Sequence, residues 1–132
     1  MTTFRISEAA ALLGVSADTV RRWVDAGRLP AWRDEYGHRL VSGTELAAFA
    51  RSQSGRDDHA AGVSSARNRF RGIVTEVIKD TVMAQVEIAA GPFRVVSLMS
   101  RESADELGLE PGVVAVAVVK STTVVVEVPQ VP

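Results

Sequence analysis

Cysteine is absent from the 132 residues, which removes disulfides, thiolate metal sites and thiol nucleophiles from consideration. Histidine is scarce: His38 and His59 stand alone in the sequence, and each is expected at the surface rather than on a metal. No nucleophile–base constellation or catalytic metal cluster can be assembled, so an enzyme is not expected. Charge of either sign is nearly balanced at a net −1, so no global field draws the chain onto nucleic acid. Any basic contact surface must be local. Long apolar runs are missing too. The longest, Val113 to Val119, falls far short of a bilayer span, and Met1-Thr2-Thr3-Phe4-Arg5 lacks the pattern of a secretory signal. A cytoplasmic protein with no membrane association is the expectation. There is no internal repeat.

What is present comes in two halves. Hydrophobic residues make up 46% of the chain, enough for folded cores. Residues 4–51 carry Ala, Leu and Arg at helical spacing, whereas residues 70–128 are rich in valine and alternate like strands. Between them, the small and polar run from Ser52 to Ser64 has no usable hydrophobic face. The expected organisation is a domain over residues 1–52, a linker over 53–64 and a second domain over 65–132.

In the first half, Ile6, Ala9, Ala10 and Leu13 mark one face of a helix beginning at Ser7 and stopped by Gly14. Ser16 caps a second helix, with Val15 and Val20 as its hydrophobic staple. Ser42 and Glu45 form a capping box for a third, stapled by Val41 and Leu46. The stretch from Arg28 to Val41 reads as a hairpin around Asp34-Glu35-Tyr36-Gly37. On the second helix Val20, Trp23 and Val24 share the buried side, leaving Asp18, Arg21, Arg22 and Asp25 outward with Ala17 at the start. A helix-turn-helix presents such residues to base edges in the major groove, where arginine donates to guanine or neutralises phosphate. Arg33, His38 and Arg39 on the hairpin could reach the DNA backbone or minor groove.

The second half offers five strand candidates: Phe70–Val77, Val82–Ala89, Phe93–Leu98, Val113–Val119 and Val124–Val128. Ser100 caps a brief helix through Leu107, ended by Gly108, and Glu110-Pro111-Gly112 makes a turn. Five strands with one interposed helix suit a small OB-like barrel. Ser65, Arg67, Ser100, Ser103, Lys120 and Ser121 supply hydroxyls and cations without one carboxylate among them, a set suited to an oxyanion. The fold class expected is therefore α+β.

Ile6-Ser7-Glu8-Ala9-Ala10, Leu13-Gly14-Val15-Ser16, Thr19-Val20-Arg21-Arg22-Trp23 and Gly27-Arg28-Leu29-Pro30 resemble the MerR/excisionase-type winged helix-turn-helix, and the likeness continues through Tyr36-Gly37-His38-Arg39 and the third helix. That resemblance implies double-stranded DNA as partner, contacted through Ala17, Asp18, Arg21, Arg22, Arg33, His38 and Arg39, with Trp23 and Trp32 as packing residues. Ser65-Ala66-Arg67-Asn68-Arg69-Phe70-Arg71-Gly72, Val82-Met83-Ala84-Gln85-Val86, Ser103 to Gly112 and Val118-Val119-Lys120-Ser121 resemble the molbindin (Mop) domain of the TOBE superfamily. That likeness spans essentially the whole second domain. It implies molybdate or tungstate bound between subunits, with ligand positions at Ser65, Arg67, Ser100, Ser103, Lys120 and Ser121, Asn68 nearby, and a second type of site around Thr81 to Met83. A homo-oligomer is also expected, a dimer at least or a hexamer built from dimers as in free molbindins. In one departure, the family often has Ala-Ile-Thr before the short helix, where this chain has Leu98-Met99-Ser100.

The two resemblances together point to a molybdate-responsive transcriptional regulator, like the ModE regulators but with another DNA-binding module and one molbindin unit. The alternative is a molybdate storage or homeostasis protein whose helical domain serves docking.

Overall fold

The structure, a computed structural model, describes residues 2–53 and 64–130. The chain divides into two compact units, Met1–Ala61 and Gly62–Pro132. Most of the expected linker lies outside the described residues. Of its two ends, Gln53 closes a helix and Ser64 accepts a hydrogen bond at Oγ from the Ala66 N–H at 3.1 Å.

In the first unit a short strand β1 (Thr3–Arg5) runs directly into α1 (Ile6–Leu13), one residue ahead of the expected start. Glu8 makes this possible by accepting the Arg5 backbone N–H at 2.9 Å. Gly14, left-handed at φ 70°, turns the chain after α1. Ser16 then accepts the Thr19 N–H at 3.2 Å and opens α2 (Ala17–Asp25). β2 (Trp32–Arg33) and β3 (Arg39–Ser42) form the expected hairpin, and β3 also pairs with β1, giving sheet order β1-β3-β2. Ser42 Oγ accepts the Glu45 N–H at 3.1 Å at the start of α3 (Gly43–Gln53). Ile6, Ala9, Ala10, Val20, Leu29, Val41, Leu46 and Phe49 close one buried core. Trp23 packs against it, its ring 4.8 Å from that of Phe49. Trp32 does not: it is 42% exposed on the two-residue edge strand, which is too short to cover it.

The second unit is one antiparallel sheet in the order β6-β5-β4-β7. Its strands are β4 (Asn68–Lys79), β5 (Met83–Ala90), β6 (Phe93–Ser100) and β7 (Val114–Val119), with α4 (Arg101–Glu106) between β6 and β7. The sheet curls because β4 serves two partners in succession. Its first part pairs with β7, from Asn68↔Val119 to Ile73↔Val114; its second pairs with β5, from Ile73↔Ala89 to Lys79↔Ala84, with a bulge between Val74 and Glu76. Gly72 stands at the changeover, where an added Cβ would lie 2.2 Å from the Ala89 carbonyl oxygen. Only glycine allows this close approach.

The expected five-stranded barrel is not formed within the described residues. Val124–Val128 follows a single 3₁₀ turn, Ser121–Thr123, and is assigned to no strand. A strand exists by pairing, and among the described residues no strand pairs with it. Val125, Val126 and Val128 remain 89%, 84% and 83% exposed. The edges β6 and β7 do not pair either, and residues of both line an apolar cleft of about 400 Å³.

Candidate functional site

In the first unit, the start of α1, the later part of α2 and the hairpin converge on one groove. The hairpin turn is held by Asp34, whose carboxylate accepts the N–H groups of Tyr36 at 2.9 Å and His38 at 2.8 Å, while Gly37 takes the left-handed conformation at φ 81°. Partial desolvation pushes the Asp34 carboxyl upward, but those two N–H groups and the His38 ring, 3.5 Å away, hold it below the ordinary carboxylate value. Arg39 reaches from β3 to Asp25 at the end of α2, at 2.8 Å, and fixes the hairpin against the helix.

The resulting open groove of about 510 Å³ is lined by Arg5, Ser7, Arg21, Asp25, Arg33, His38 and Arg39, among others. Arg21, Arg33, His38 and Arg39 are thus brought together. Arg21 is paired with Asp18 one turn back, and Arg33 donates to the Gly37 carbonyl at 2.7 Å. Arg22 is exposed outside the groove lining and donates to Thr19 Oγ1 at 3.3 Å. Ala17 is half-buried and packs against the core, while Asp18 is exposed. Arg5, at the end of β1, also lines the groove, although no helix-face pattern in the sequence marks it.

In the second unit, register decides which of the oxyanion candidates are neighbours. Asn68 opens β4 and faces Val119 at the end of β7, and its Nδ2 donates to the Val119 carbonyl at 3.1 Å. Ser65 and Arg67 just before β4 therefore lie at the same sheet end as Lys120 and Ser121 just after β7. Ser65, Arg67, Lys120 and Ser121 are all exposed. Ser100 and Ser103 lie elsewhere. Ser100 pairs with Met83, whose strand begins opposite Lys79 at the far end of β4. The 12 residues of β4 amount to about 35 Å of strand between the two groups. The register thus gathers Ser65, Arg67, Lys120 and Ser121 at one sheet end and Ser100 and Ser103 at the other.

The Ser100 end is built around α4. Ser100 Oγ accepts the Ser103 N–H at 3.1 Å and donates to Ser103 Oγ at 2.8 Å, so the Ser103 hydroxyl keeps its own proton for an external acceptor. The adjoining turn commits its donors internally: Asp80 accepts the N–H groups of Val82 at 2.7 Å and Met83 at 2.6 Å. Those bonds, with Arg101 nearby, hold the Asp80 carboxyl below its ordinary value. A carboxylate therefore already takes the two amides of the Thr81 to Met83 turn. Asp105, held low chiefly by its hydrogen bond from Lys79, anchors α4 to the end of β4. Among the described residues no cluster of three or more His, Cys, Asp or Glu could hold a metal. His38 is exposed as expected; His59 lies outside the described residues.

A family model described as a TOBE domain matches residues 64–126, and one described as a helix-turn-helix domain matches residues 3–54. Molybdenum-pterin-binding protein 2 of Clostridium pasteurianum is 44% identical over 64 residues, which are 47% of this chain and 93% of that protein. The chain belongs to the TOBE-domain family. Its first unit is a helix-turn-helix domain. Molybdenum-pterin-binding protein MopB of Rhodobacter capsulatus is 34% identical over 99 residues, which are 69% of this chain but only 35% of that protein. Among solved structures, a molybdate-binding protein from Sporomusa ovata superposes with a TM-score of 0.48 at 32% identity, covering 50% of this chain and 98% of that one. MopII from Clostridium pasteurianum does so with 0.45 at 40% identity, covering 50% and 100%. Among the described residues no helix is long and apolar enough to cross a membrane.

Proposed function

We propose that this chain is a DNA-binding transcriptional regulator that responds to molybdate, with tungstate as the alternative ligand. The carrying observation is the union in one chain of a helix-turn-helix domain, whose arginines converge on one groove, with a TOBE domain whose hydroxyl and cationic residues gather at two sheet ends. In this reading the first unit is a MerR/excisionase-like winged helix-turn-helix. Its hairpin is the wing, and Asp18, Arg21, Arg22, Arg33, His38 and Arg39, with Ala17 at the helix start, form its DNA surface. The protein acts in the cytoplasm and is not an enzyme.

The oxyanion site is a shared one. Ser65, Arg67, Asn68, Lys120 and Ser121 of one chain meet Ser100 and Ser103 of a second, because within a chain the two groups lie at opposite ends of β4. Arg67 and Lys120 balance the charge, and the hydroxyls and Asn68 orient the ion. The unpaired Val124–Val128 segment and the open β6 and β7 edges support an oligomer, a dimer at least, in which added pairing completes a five-stranded OB-like barrel. A dimer also presents two DNA-binding units to two half-sites about 34 Å apart.

A storage or homeostasis role, with the helical domain serving docking, is favoured by one fact: the match covers 93% of a relative that leaves no room for a helix-turn-helix domain. Two measurements separate the readings. Gel-filtered protein should retain molybdenum or tungsten by elemental analysis, and duplex binding should show a sequence preference that molybdate changes. Metal retention without any sequence preference would favour storage. Mixing Lys120→Ala and Ser103→Ala chains should restore one intact site per heterodimer. Confirmed subunit exchange with no regained molybdate binding would overturn the shared site.

A further inference from the structure

Arg5 occupies a position where a helix asks for a different residue. N-caps favour Ser, Thr, Asp or Asn, whose side chains accept from the first-turn N–H groups, and a cation at this end opposes the helix dipole. Arg5 is the N-cap of α1, with extended backbone at φ −75° and ψ 163°, and its side chain accepts nothing there. Glu8 recovers part of the loss by accepting the Arg5 backbone N–H. A locally unfavourable residue on an otherwise well-formed helix points to a role outside folding.

The groove supplies that role. Arg5 lines it with Arg21, Arg33, His38 and Arg39, against Asp25 as the one lining carboxylate. Asp25 is taken by Arg39, Arg21 is taken by Asp18, and Arg33 is bonded to the Gly37 carbonyl. Among the described residues no carboxylate is ion-paired to Arg5. The groove thus has an excess of cations on a chain of net charge −1, flanked by the helix and the hairpin that approach DNA in the reading above.

We propose that Arg5 binds a backbone phosphate of the duplex in this groove, making the β1–α1 junction a third point of DNA contact beside α2 and the hairpin. The inference rests on the DNA-binding reading. A phosphodiester carries one charge on two free oxygens, which a guanidinium can engage together, and such a contact fixes orientation without reading sequence.

The test is Arg5→Ser, which installs a good N-cap while removing the cation. The probe is a labelled mixed-sequence duplex of about 30 base pairs, long enough for two half-sites. Affinity should fall roughly tenfold at low salt, the loss of one charge-assisted contact. The slope of log affinity against log salt should become shallower by about 0.9. The melting temperature of the first unit should stay level or rise, because the new cap helps α1. Arg5→Lys should keep the parent salt slope. Unchanged affinity and slope in Arg5→Ser, with the parent binding the duplex and Arg22→Ala weakened, would overturn the Arg5 contact alone. Weaker binding accompanied by a lowered melting temperature in both variants would reassign Arg5 to structure. No duplex binding by the parent chain would overturn the DNA reading beneath it.

Discussion

The two units close their cores to different degrees. The helix-turn-helix domain buries eight hydrophobic residues in one cluster drawn from all its helices, the central strand and Leu29 in the connection after α2. The TOBE domain buries a cluster of three, Val74, Val86 and Ile88, and leaves Phe93, Leu98, Leu107 and Val114 more than half exposed. One unit closes its core within the described residues; the other leaves open edges and apolar surface, the feature on which the proposed oligomer rests. The contrast matches the division of labour proposed above, since a half-site reader works as a unit whereas a shared oxyanion site requires assembly.

The largest expected effect breaks the complete unit. Phe49→Ala removes the ring that meets Trp23 at a 51° tilt and is overlain by Arg28, 5.8 Å from its centroid. It should cost the first unit about 3–5 kcal/mol. Duplex binding should be lost while molybdate-induced stabilisation of the TOBE domain survives, which differential scanning calorimetry with and without molybdate will show. Next comes Gly72→Ala, which forces a Cβ against the Ala89 carbonyl and should cost the TOBE domain about 1–3 kcal/mol. Its calorimetric signature should be the reverse: the TOBE transition falls and duplex binding per folded first unit is kept.

A third expectation sharpens the comparison. If the second unit is stabilised by its partner, each tenfold dilution should lower its stability by about 1.4 kcal/mol per dimer, while the first unit's transition stays fixed. Two concentration-independent transitions would remove the contrast. Smaller still, Ser16→Ala deletes the cap that accepts the Thr19 N–H and should cost α2 about 1 kcal/mol. Circular dichroism melts should place that loss in the first unit.

Local signals explain what the sequence made legible. Ser16, Ser42 and Ser100 cap the helices assigned to them because a cap needs only the next three residues. Gly14 and Gly108 end helices at φ 70° and 65° for the same reason. What escaped reading depends on partners distant in sequence. Lys120 falls beside Arg67 through the β4–β7 register, 51 residues apart at Asn68 and Val119, which no local pattern encodes. Val124–Val128 has a strand's composition but, among the described residues, no strand to pair with, so composition alone overstated it. Arg5 did carry a local signal, an arginine where a capping hydroxyl or carboxylate belongs.

The smallest effect concerns the hairpin and its dependence on pH. Asp34 holds the turn by accepting two backbone N–H groups, and its carboxyl is depressed in the folded chain. A depressed carboxyl stabilises the fold above its unfolded value, and that contribution is lost as pH falls through the folded value. The wild-type advantage over Asp34→Ala should therefore be full at neutral pH and fade in the acidic range below the ordinary aspartate value. Because the carboxylate is at the surface, the fading should be partial and confined to the hairpin, leaving the Ile6–Phe49 core intact. Melting temperatures of both chains across neutral and acidic pH give the comparison directly. A difference that persists undiminished in strong acid would show that Asp34 acts through turn shape rather than charge, and the hairpin would then hold its position in the groove at any pH.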